Sequence, residues 1–333
     1  MKTIAKTKIS ALLDELAKKF NVLVPVAGDG ASKFAPYTPG TQPSFDGRTL
    51  LPPKDVFFPQ TEKMYKFTTD GMGGSVESIV NKVQAQILFG IRPCDAKSIH
   101  CLDHVFLSKG FVDEFYQVKR DNSLIIAMGC NGPAEPTCFC SSMQVNPQEA
   151  DNADVNLYDL GSEYGAEAKS QAGEALLNEF ASLFSESNAP KPVVADFPLS
   201  VDVDGVPEKL AKMFESPIWE ELARKCLGCG ACTYLCPTCH CFDISARVAG
   251  TQGFRFRCWD SCMFSEYTRM AGGHNPRPSK KERVRNRFLH KLQYFPERYG
   301  DLLCTGCGRC LAKCPVNMDI TNVIKQVKEV ELA

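Results

Sequence analysis

The sequence predicts an α/β or α+β domain over residues 1–210, followed by a mainly helical domain over residues 211–333. Two strand-like apolar runs with a helical stretch between them predict the first domain, because the order strand, helix, strand is typical of an α/β unit. Helical periodicity with few strand signals predicts the second. The proline-rich stretch from Asn188 to Pro207 follows an acidic segment and indicates a boundary near residues 190–215.

The elements of the first domain follow from the spacing of its apolar residues. Lys8–Phe20 places its leucines on one face of a predicted helix, and Val22–Val26 follows as a short strand. Ala85–Ile91 is a second apolar run of strand length. Ala96–Leu107 then has helical spacing, and Leu124–Met128 predicts another buried strand.

The second domain contains helical patterns and few runs that alternate between apolar and polar residues. We therefore expect this part of the chain to be mainly helical. The predicted helices are Glu208–Phe214, Trp219–Arg224, Ser279–Leu292 and Ile320–Val330.

Composition excludes several classes of protein. A net charge of −1 gives no global field that would attract nucleic acid. The densest apolar run, Ser123–Met128, is far shorter than the roughly 20 residues of a membrane-spanning helix. The 17 cysteines indicate either disulfides or metal ligation. Disulfide-dense proteins are small and secreted, whereas this chain is long and Met1–Ser10 has no apolar signal core. We therefore expect metal-bound thiolates in the cytoplasm.

A cysteine motif occurs twice, as Cys226-Leu-Gly-Cys229-Gly-Ala-Cys232-Thr-Tyr-Leu-Cys236-Pro237 and as Cys304-Thr-Gly-Cys307-Gly-Arg-Cys310-Leu-Ala-Lys-Cys314-Pro315. Bacterial ferredoxins with two [4Fe–4S] clusters have this spacing, and the last cysteine of each motif ligates the other cluster. Zinc sites instead pair two hooks of two cysteines each. The motifs thus predict a ferredoxin-like domain with a 67-residue insertion between them. The predicted ligands are Cys226, Cys229, Cys232 and Cys314 for cluster 1, and Cys304, Cys307, Cys310 and Cys236 for cluster 2.

Four N-terminal cysteines are candidates for a third [4Fe–4S] cluster. Cys94 and Cys130 each follow a predicted strand, and ligands of open α/β sheets bind where adjacent strands end. Cys138 and Cys140 lie on the loop after the second strand. The alternative is that these thiols are buried without a metal, as we expect for Cys101 on the intervening helix.

The insertion contains four further cysteines, Cys239, Cys241, Cys258 and Cys262. With His240 they form a candidate set for a fourth cluster. The Cys-x-Cys spacing beside the ligand Cys236 is sterically tight. We therefore favour the alternative, in which these thiols pack around the ferredoxin clusters as small apolar side chains.

Three other features have less specific interpretations. The stretch from Arg247 to Arg298 has twelve basic and four acidic residues, which fits a solvated helix face, docking to an acidic partner, or compensation of cluster charge. Nucleic-acid binding is the less favoured alternative, because aromatic stacking residues are not interleaved through the core of this stretch. Gly71–Gly74 lacks the strand–turn–helix context of a flavin or dinucleotide site and is interpreted as a loop. The scattered histidines are expected to be packed or solvated; they are His100, His104, His274 and His290.

Taken together, these segments resemble a family of dicluster iron–sulfur subunits. Its members occur as the beta subunit of soluble sulfhydrogenases, as an iron–sulfur subunit of anaerobic sulfite reductase, and in flavin oxidoreductases linked to heterodisulfide reductase. The resemblance extends over most of the chain. Besides the two ferredoxin motifs, it lies in Arg92–Asp95, Thr137–Met143, Cys236–Cys241, Trp259–Met263 and Met270–His274.

The resemblance implies a non-catalytic electron relay in a cytoplasmic complex of anaerobic metabolism. A separate flavin subunit would exchange hydride with NAD(P)H, and the catalytic partner would be a hydrogenase, a sulfite reductase or a heterodisulfide reductase. This hypothesis predicts no flavin, no membrane insertion and no nucleic acid for this chain. The alternative is a catalytic subunit that reduces a sulfur compound at a cluster with an open iron site.

Overall fold

A computed structural model describes residues 1–28, 30–70, 72–80 and 83–331. The elements up to residue 200 are β1 (Lys2–Ala5), α1 (Ile9–Ala17), β2 (Asn21–Val26), β3 (Lys33–Pro36), β4 (Thr61–Thr69), β5 (Gly74–Ser78), β6 (Gln86–Ile91), α2 (Pro93–Phe106), α3 (Glu114–Asp121), β7 (Ser123–Met128), β8 (Val155–Asp159), β9 (Glu163–Ala168), α4 (Gln171–Glu179) and β10 (Ser185–Glu186). Those that follow are α5 (Val206–Ala211), α6 (Ile218–Lys225), α7 (Ala231–Tyr234), β11 (Phe242–Ala249), β12 (Gln252–Trp259), α8 (Lys280–Leu289), α9 (Phe295–Tyr299), α10 (Arg309–Lys313) and α11 (Ile320–Glu329).

A mixed eight-stranded sheet forms the N-terminal part, in the order β10-β1-β9-β8-β7-β6-β2-β3. Its centre is parallel, because β6 pairs in parallel with both β2 and β7, and β7 with β8. Alternate side chains enter two separate cores. Ile87 and Phe89 pack with α1 and α4, while Leu88 and Ile91 pack with α2 and α3. Strands buried on both faces are typical of parallel sheets, and the predicted α/β character is confirmed.

The helices of the second half pack around Trp219, which is fully buried. The four predicted helices correspond to α5, α6, α8 and α11, of which α5 begins and ends a few residues earlier than predicted. Ser279 and Glu282 form a capping box at the start of α8, and this pairing satisfies backbone N–H groups that the first turn would leave without partners. After Leu289 the helix continues through a π-helical turn, His290–Tyr294, into α9.

A β-hairpin in the insertion departs from the predicted fold. β11 and β12 pair with each other, and β12 pairs with β4, which gives an antiparallel sheet in the order β11-β12-β4-β5. The structure therefore does not confirm a mainly helical second domain. Aromatic residues and arginines alternate from Phe254 to Arg257 in β12, which is a strand pattern that the helical prediction overlooked. Arg257 is buried as an ion pair with Glu62 and Asp113.

The antiparallel sheet crosses the predicted boundary at residue 210, since β4 and β5 precede that position and β11 and β12 follow it. The division into residues 1–210 and 211–333 stays a prediction. Among the described residues, we find no helix with the length and apolar character that a membrane span requires.

Candidate iron–sulfur sites

Four cysteines from two distant segments line one cavity, which we call the first ferredoxin site. Two lie on the loop between α6 and α7, one lies within α7, and one directly follows α10. Gly228 and Gly230 have φ values of 71° and 76°, a left-handed backbone that favours glycine. The N–H of Gly228 donates to Cys226 Sγ at 3.3 Å, and the N–H of Met318 to Cys314 Sγ at 3.1 Å. The cysteines of the first ferredoxin site are Cys226, Cys229, Cys232 and Cys314.

The second motif repeats this backbone. Gly306 and Gly308 have φ values of 65° and 74°, and α10 packs against α7. The pKa of Cys304 is raised to about 11, mainly by burial and in smaller part by the neighbouring thiols of Cys236 and Cys307, while the charge of Lys291 opposes this rise. Cys304, Cys307 and Cys236 each raise the pKa of Cys310. The four thiols of this second ferredoxin site therefore lie close together.

The N-terminal cysteines meet at the carboxyl edge of the parallel sheet. Cys94 lies in the first turn of α2, directly after β6, and Cys130 follows β7. Because β6 and β7 are parallel neighbours, both thiols lie at the same edge. The loop after β7 adds the other two. One cavity is lined by all four cysteines of this N-terminal site, Cys94, Cys130, Cys138 and Cys140.

The N-terminal site touches the second ferredoxin site. Cys307 lines the N-terminal cavity together with Gly306, and it packs against Cys94 and Cys140. The N–H of Phe139 donates to the carbonyl of Gly306 at 2.9 Å. The two cysteine-bearing loops are therefore in direct backbone contact.

Two basic side chains of the segment that begins with α8 are buried between the ferredoxin sites. Arg287 lines the cavity of the first site, and the thiols of Cys232 and Cys310, from the two sites, both raise its pKa against the effect of burial. Lys291 lies one turn further along, and its Nζ is 3.2 Å from Cys236 Sγ. Within the described chain, Nε and Nη2 of Arg287 are buried without a hydrogen-bond partner.

Burying a guanidinium N–H group without a hydrogen-bond acceptor costs free energy unless an anionic group accepts from it. The sulfurs of a [4Fe–4S] cluster with four thiolates can do so. Arg48 provides the same feature at the N-terminal site, since it lines the cavity and its buried Nε has no partner among the described residues. Arg92 lies there too, with Nη1 3.8 Å from Cys130 Sγ. Cysteines and unpaired donors together fit iron–sulfur clusters at these sites.

A buried ion pair fastens the N-terminal site to the second motif. Arg309 lies next to the ligand candidate Cys310, and Asp95 lies next to Cys94. Nη2 of Arg309 is 2.7 Å from Oδ2 of Asp95, and its Nε donates to the Thr49 carbonyl at 2.9 Å. Both charged side chains are almost fully buried, so the pair fixes the distance between the two sites.

The cysteines of the insertion are divided among different surroundings. Cys239 shares a hydrogen bond with Cys236, which lowers the pKa of Cys236 and raises that of Cys239. A hydrogen bond from Cys262 lowers the pKa of Cys241 to about 6. Cys258 lies on β12 opposite Asp243. Its pKa is raised mainly by burial and in smaller part by the negative charges of Asp243 and Asp260. The structure does not bring Cys258 to the other three, and the fourth cluster stays a prediction.

The sequence patterns missed several residues of these sites. Arg48 and Lys54 stand in no motif, although Lys54 is buried and donates to the Cys239 carbonyl at 2.8 Å. The four-residue spacing of Arg287 and Lys291 was the available signal, because it places both on one helix face. Cys101 packs against Phe295 and Leu303 as expected.

The glycine cluster is the remaining motif. Gly71 lies outside the described residues, and Gly74 begins β5.

The paired cysteine loops and their glycines define an iron–sulfur protein of the two-cluster ferredoxin type. Residues 225–318 match the family model described as a 4Fe-4S dicluster domain. The chain is 31% identical over 295 residues to sulfhydrogenase 2 subunit beta of Pyrococcus furiosus, an alignment that covers 85% of this chain and 84% of the relative. No solved structure matches. The chain belongs to the dicluster iron–sulfur family that includes this beta subunit, which confirms the resemblance and supports at least two [4Fe–4S] clusters.

Proposed function

We propose that this chain relays single electrons between a flavin subunit that reacts with NAD(P)H and a hydrogenase-type catalytic subunit. The observation that carries the proposal is the contact between the N-terminal site and the second ferredoxin site through Cys307. The relative is named as a sulfhydrogenase subunit, which favours a hydrogenase partner over a sulfite reductase or a heterodisulfide reductase.

The proposed ligands are the twelve cysteines of the three sites. A [4Fe–4S] cluster with four thiolate ligands transfers single electrons and offers no open iron to a substrate. The protein contributes the cysteine loops and buried cations. Arg287 supplies positive charge between the ferredoxin sites, and Lys291 supplies it beside Cys236. Buried positive charge favours a more negative, reduced cluster.

The proposal includes a reducing, cytoplasmic location. None of the 17 cysteines forms a disulfide in the structure. Cysteines remain available as thiolate ligands where glutathione and thioredoxin keep them reduced. The family's metal-ligating use of cysteine is consistent with such a compartment.

The number of clusters is tested by iron and acid-labile sulfide on anaerobically purified protein. We expect about twelve irons per chain for three clusters. A count of about eight irons would mean that the N-terminal site holds no cluster and is not part of the relay. A count of about sixteen irons would mean that the four cysteines of the insertion also hold a cluster. Cys130→Ala is expected to lose about four irons. The matched control Cys101→Ala changes a buried thiol outside the three sites and is expected to lose none.

The relay is tested by the composition of the complex that an affinity-tagged chain retains. Releasable flavin together with nickel would support a nickel-containing hydrogenase with a flavin subunit. Sirohaem in place of nickel would identify a sulfite reductase and contradict the hydrogenase partner.

The catalytic alternative is tested on the isolated, reduced chain. If the chain only relays electrons, its electron paramagnetic resonance spectrum does not change when polysulfide is added. A polysulfide-dependent spectral shift, lost in Cys241→Ala, would favour a catalytic cluster in the insertion.

A further inference from the structure

Two histidines and one aspartate form a cluster outside the cysteine sites. His100 and His104 lie one turn apart on α2, so both imidazoles project from the same helix face. Asp301 lies between α9 and Cys304. Oδ2 of Asp301 is 3.2 Å from Nε2 of His100 and 3.1 Å from Nε2 of His104. One donor atom of each residue lies within 4.8 Å of the other two.

We propose that His100, His104 and Asp301 bind one divalent transition-metal ion, with zinc as the best match. Imidazole nitrogen and carboxylate oxygen are the ligands that zinc takes beside thiolate, and two histidines with one carboxylate occur at zinc sites that keep a fourth position for water. Calcium and magnesium prefer all-oxygen ligand sets. The site lies apart from the electron relay and does not rest on it.

The neighbouring side chains hold the three ligands in place. Lys97 Nζ is 2.7 Å from Oδ1 of Asp301, which leaves Oδ2 for the ion. Tyr299 stacks on the His104 ring, with centroids 5.2 Å apart and planes inclined by 27°. Groups that orient metal-ligating side chains in this way are characteristic of metal sites.

The site is accessible to ions from solvent. The side chains of His100, His104 and Asp301 are 39%, 27% and 26% exposed. A bound ion would tie α2, which begins beside Cys94, to the segment that leads into the second cysteine motif at Cys304. The site therefore connects the same two parts of the chain as the buried pair of Arg309 and Asp95.

Zinc binding is measured on the holoprotein with its clusters intact. The protein is equilibrated anaerobically with one equivalent of zinc and desalted, and zinc and iron are then counted. We expect about one zinc per chain, with nitrogen and oxygen ligands at about 2.0–2.1 Å by zinc-edge X-ray absorption. A sulfur shell at about 2.3 Å would place the zinc on cysteines and overturn the proposal, as would the absence of retained zinc.

Variants separate a metal site from a hydrogen-bonded clasp between the same residues. His100→Ala/His104→Ala is expected to lose the zinc while keeping its iron, and the matched control His274→Ala, which changes an exposed histidine, is expected to keep both. Zinc retained by the double variant overturns the proposal. Lys97→Gln provides a test that leaves the ligands intact. It shortens the side chain that holds Oδ1 of Asp301 and is expected to weaken zinc binding about tenfold, whereas unchanged or tighter binding would contradict the role of Lys97 in orienting Asp301.

Discussion

Gly306 is the position where the contact between the N-terminal site and the second ferredoxin site can be tested most directly. Its φ is 65°, and a Cβ atom there would lie 2.5 Å from Cys140 Cα and 2.6 Å from Cys140 N. The left-handed conformation costs an L-residue roughly 1–2 kcal/mol. Forcing a methyl group into packed backbone adds about 1–3 kcal/mol. We expect Gly306→Ala to lower the free energy of unfolding by about 2–5 kcal/mol.

Gly300→Ala is the matched control, since Gly300 has a φ of 84° and no described atom lies within 4 Å of its would-be Cβ. It should cost only the conformational part, roughly 1–2 kcal/mol. Urea unfolding followed by far-ultraviolet circular dichroism measures both variants, and iron content shows whether the N-terminal site is disturbed. Equal destabilisation, with full iron in Gly306→Ala, would refute the close packing of the two cysteine loops.

Three further predictions concern charged groups. Asp95→Asn leaves the buried Arg309 without its anion and should lower the free energy of unfolding by about 3–5 kcal/mol, whereas Asp95→Leu/Arg309→Met should recover most of this loss. Urea unfolding measures both variants, and an unchanged stability of Asp95→Asn would contradict the buried ion pair. Lys291→Met should lower the reduction potential of the second ferredoxin site by up to about 100 mV in a redox titration followed by electron paramagnetic resonance. Lys280→Met, whose lysine donates to the Cys226 carbonyl in the first site, should leave that potential unchanged. Hydrogen bonds from Tyr158 and Lys191 lower the pKa of Glu167 to about 2. The stabilisation that Glu167→Gln removes should therefore be fully present above pH 4.5 and disappear as the pH falls toward 2. A difference between the urea midpoints of parent and variant that does not depend on pH would contradict this prediction.

The N-terminal sheet and the meeting of Cys94 with Cys130 could be predicted from sequence because each step is local. Apolar runs of strand length mark β6 and β7, and a cysteine follows each. Parallel strands in one sheet then bring the two cysteines to the same edge. The ferredoxin loops were predictable for the same reason, since their glycines and cysteines are fixed by spacing.

The hairpin and the buried cations depend instead on contacts between distant segments. β12 is held by pairing with β4, nearly 200 residues earlier, and its Arg257 is buried only because Glu62 and Asp113 reach it. The histidines were expected to be packed or solvated. His100 and His104 are neighbours on α2, and Asp301, about 200 residues later in the chain, completes the cluster.

The contacts also order the three cysteine sites. The N-terminal site touches the second ferredoxin site through Cys307. The second site lies beside the first, because α10, which contains Cys310, packs against α7, which contains Cys232. No such link joins the N-terminal site to the first ferredoxin site in the described chain. The second site is therefore the middle of the series. Loss of its proposed ligand Cys310 should interrupt the proposed relay while the two end sites keep their clusters, whereas loss of Cys229 or Cys130 should remove the cluster at only one end.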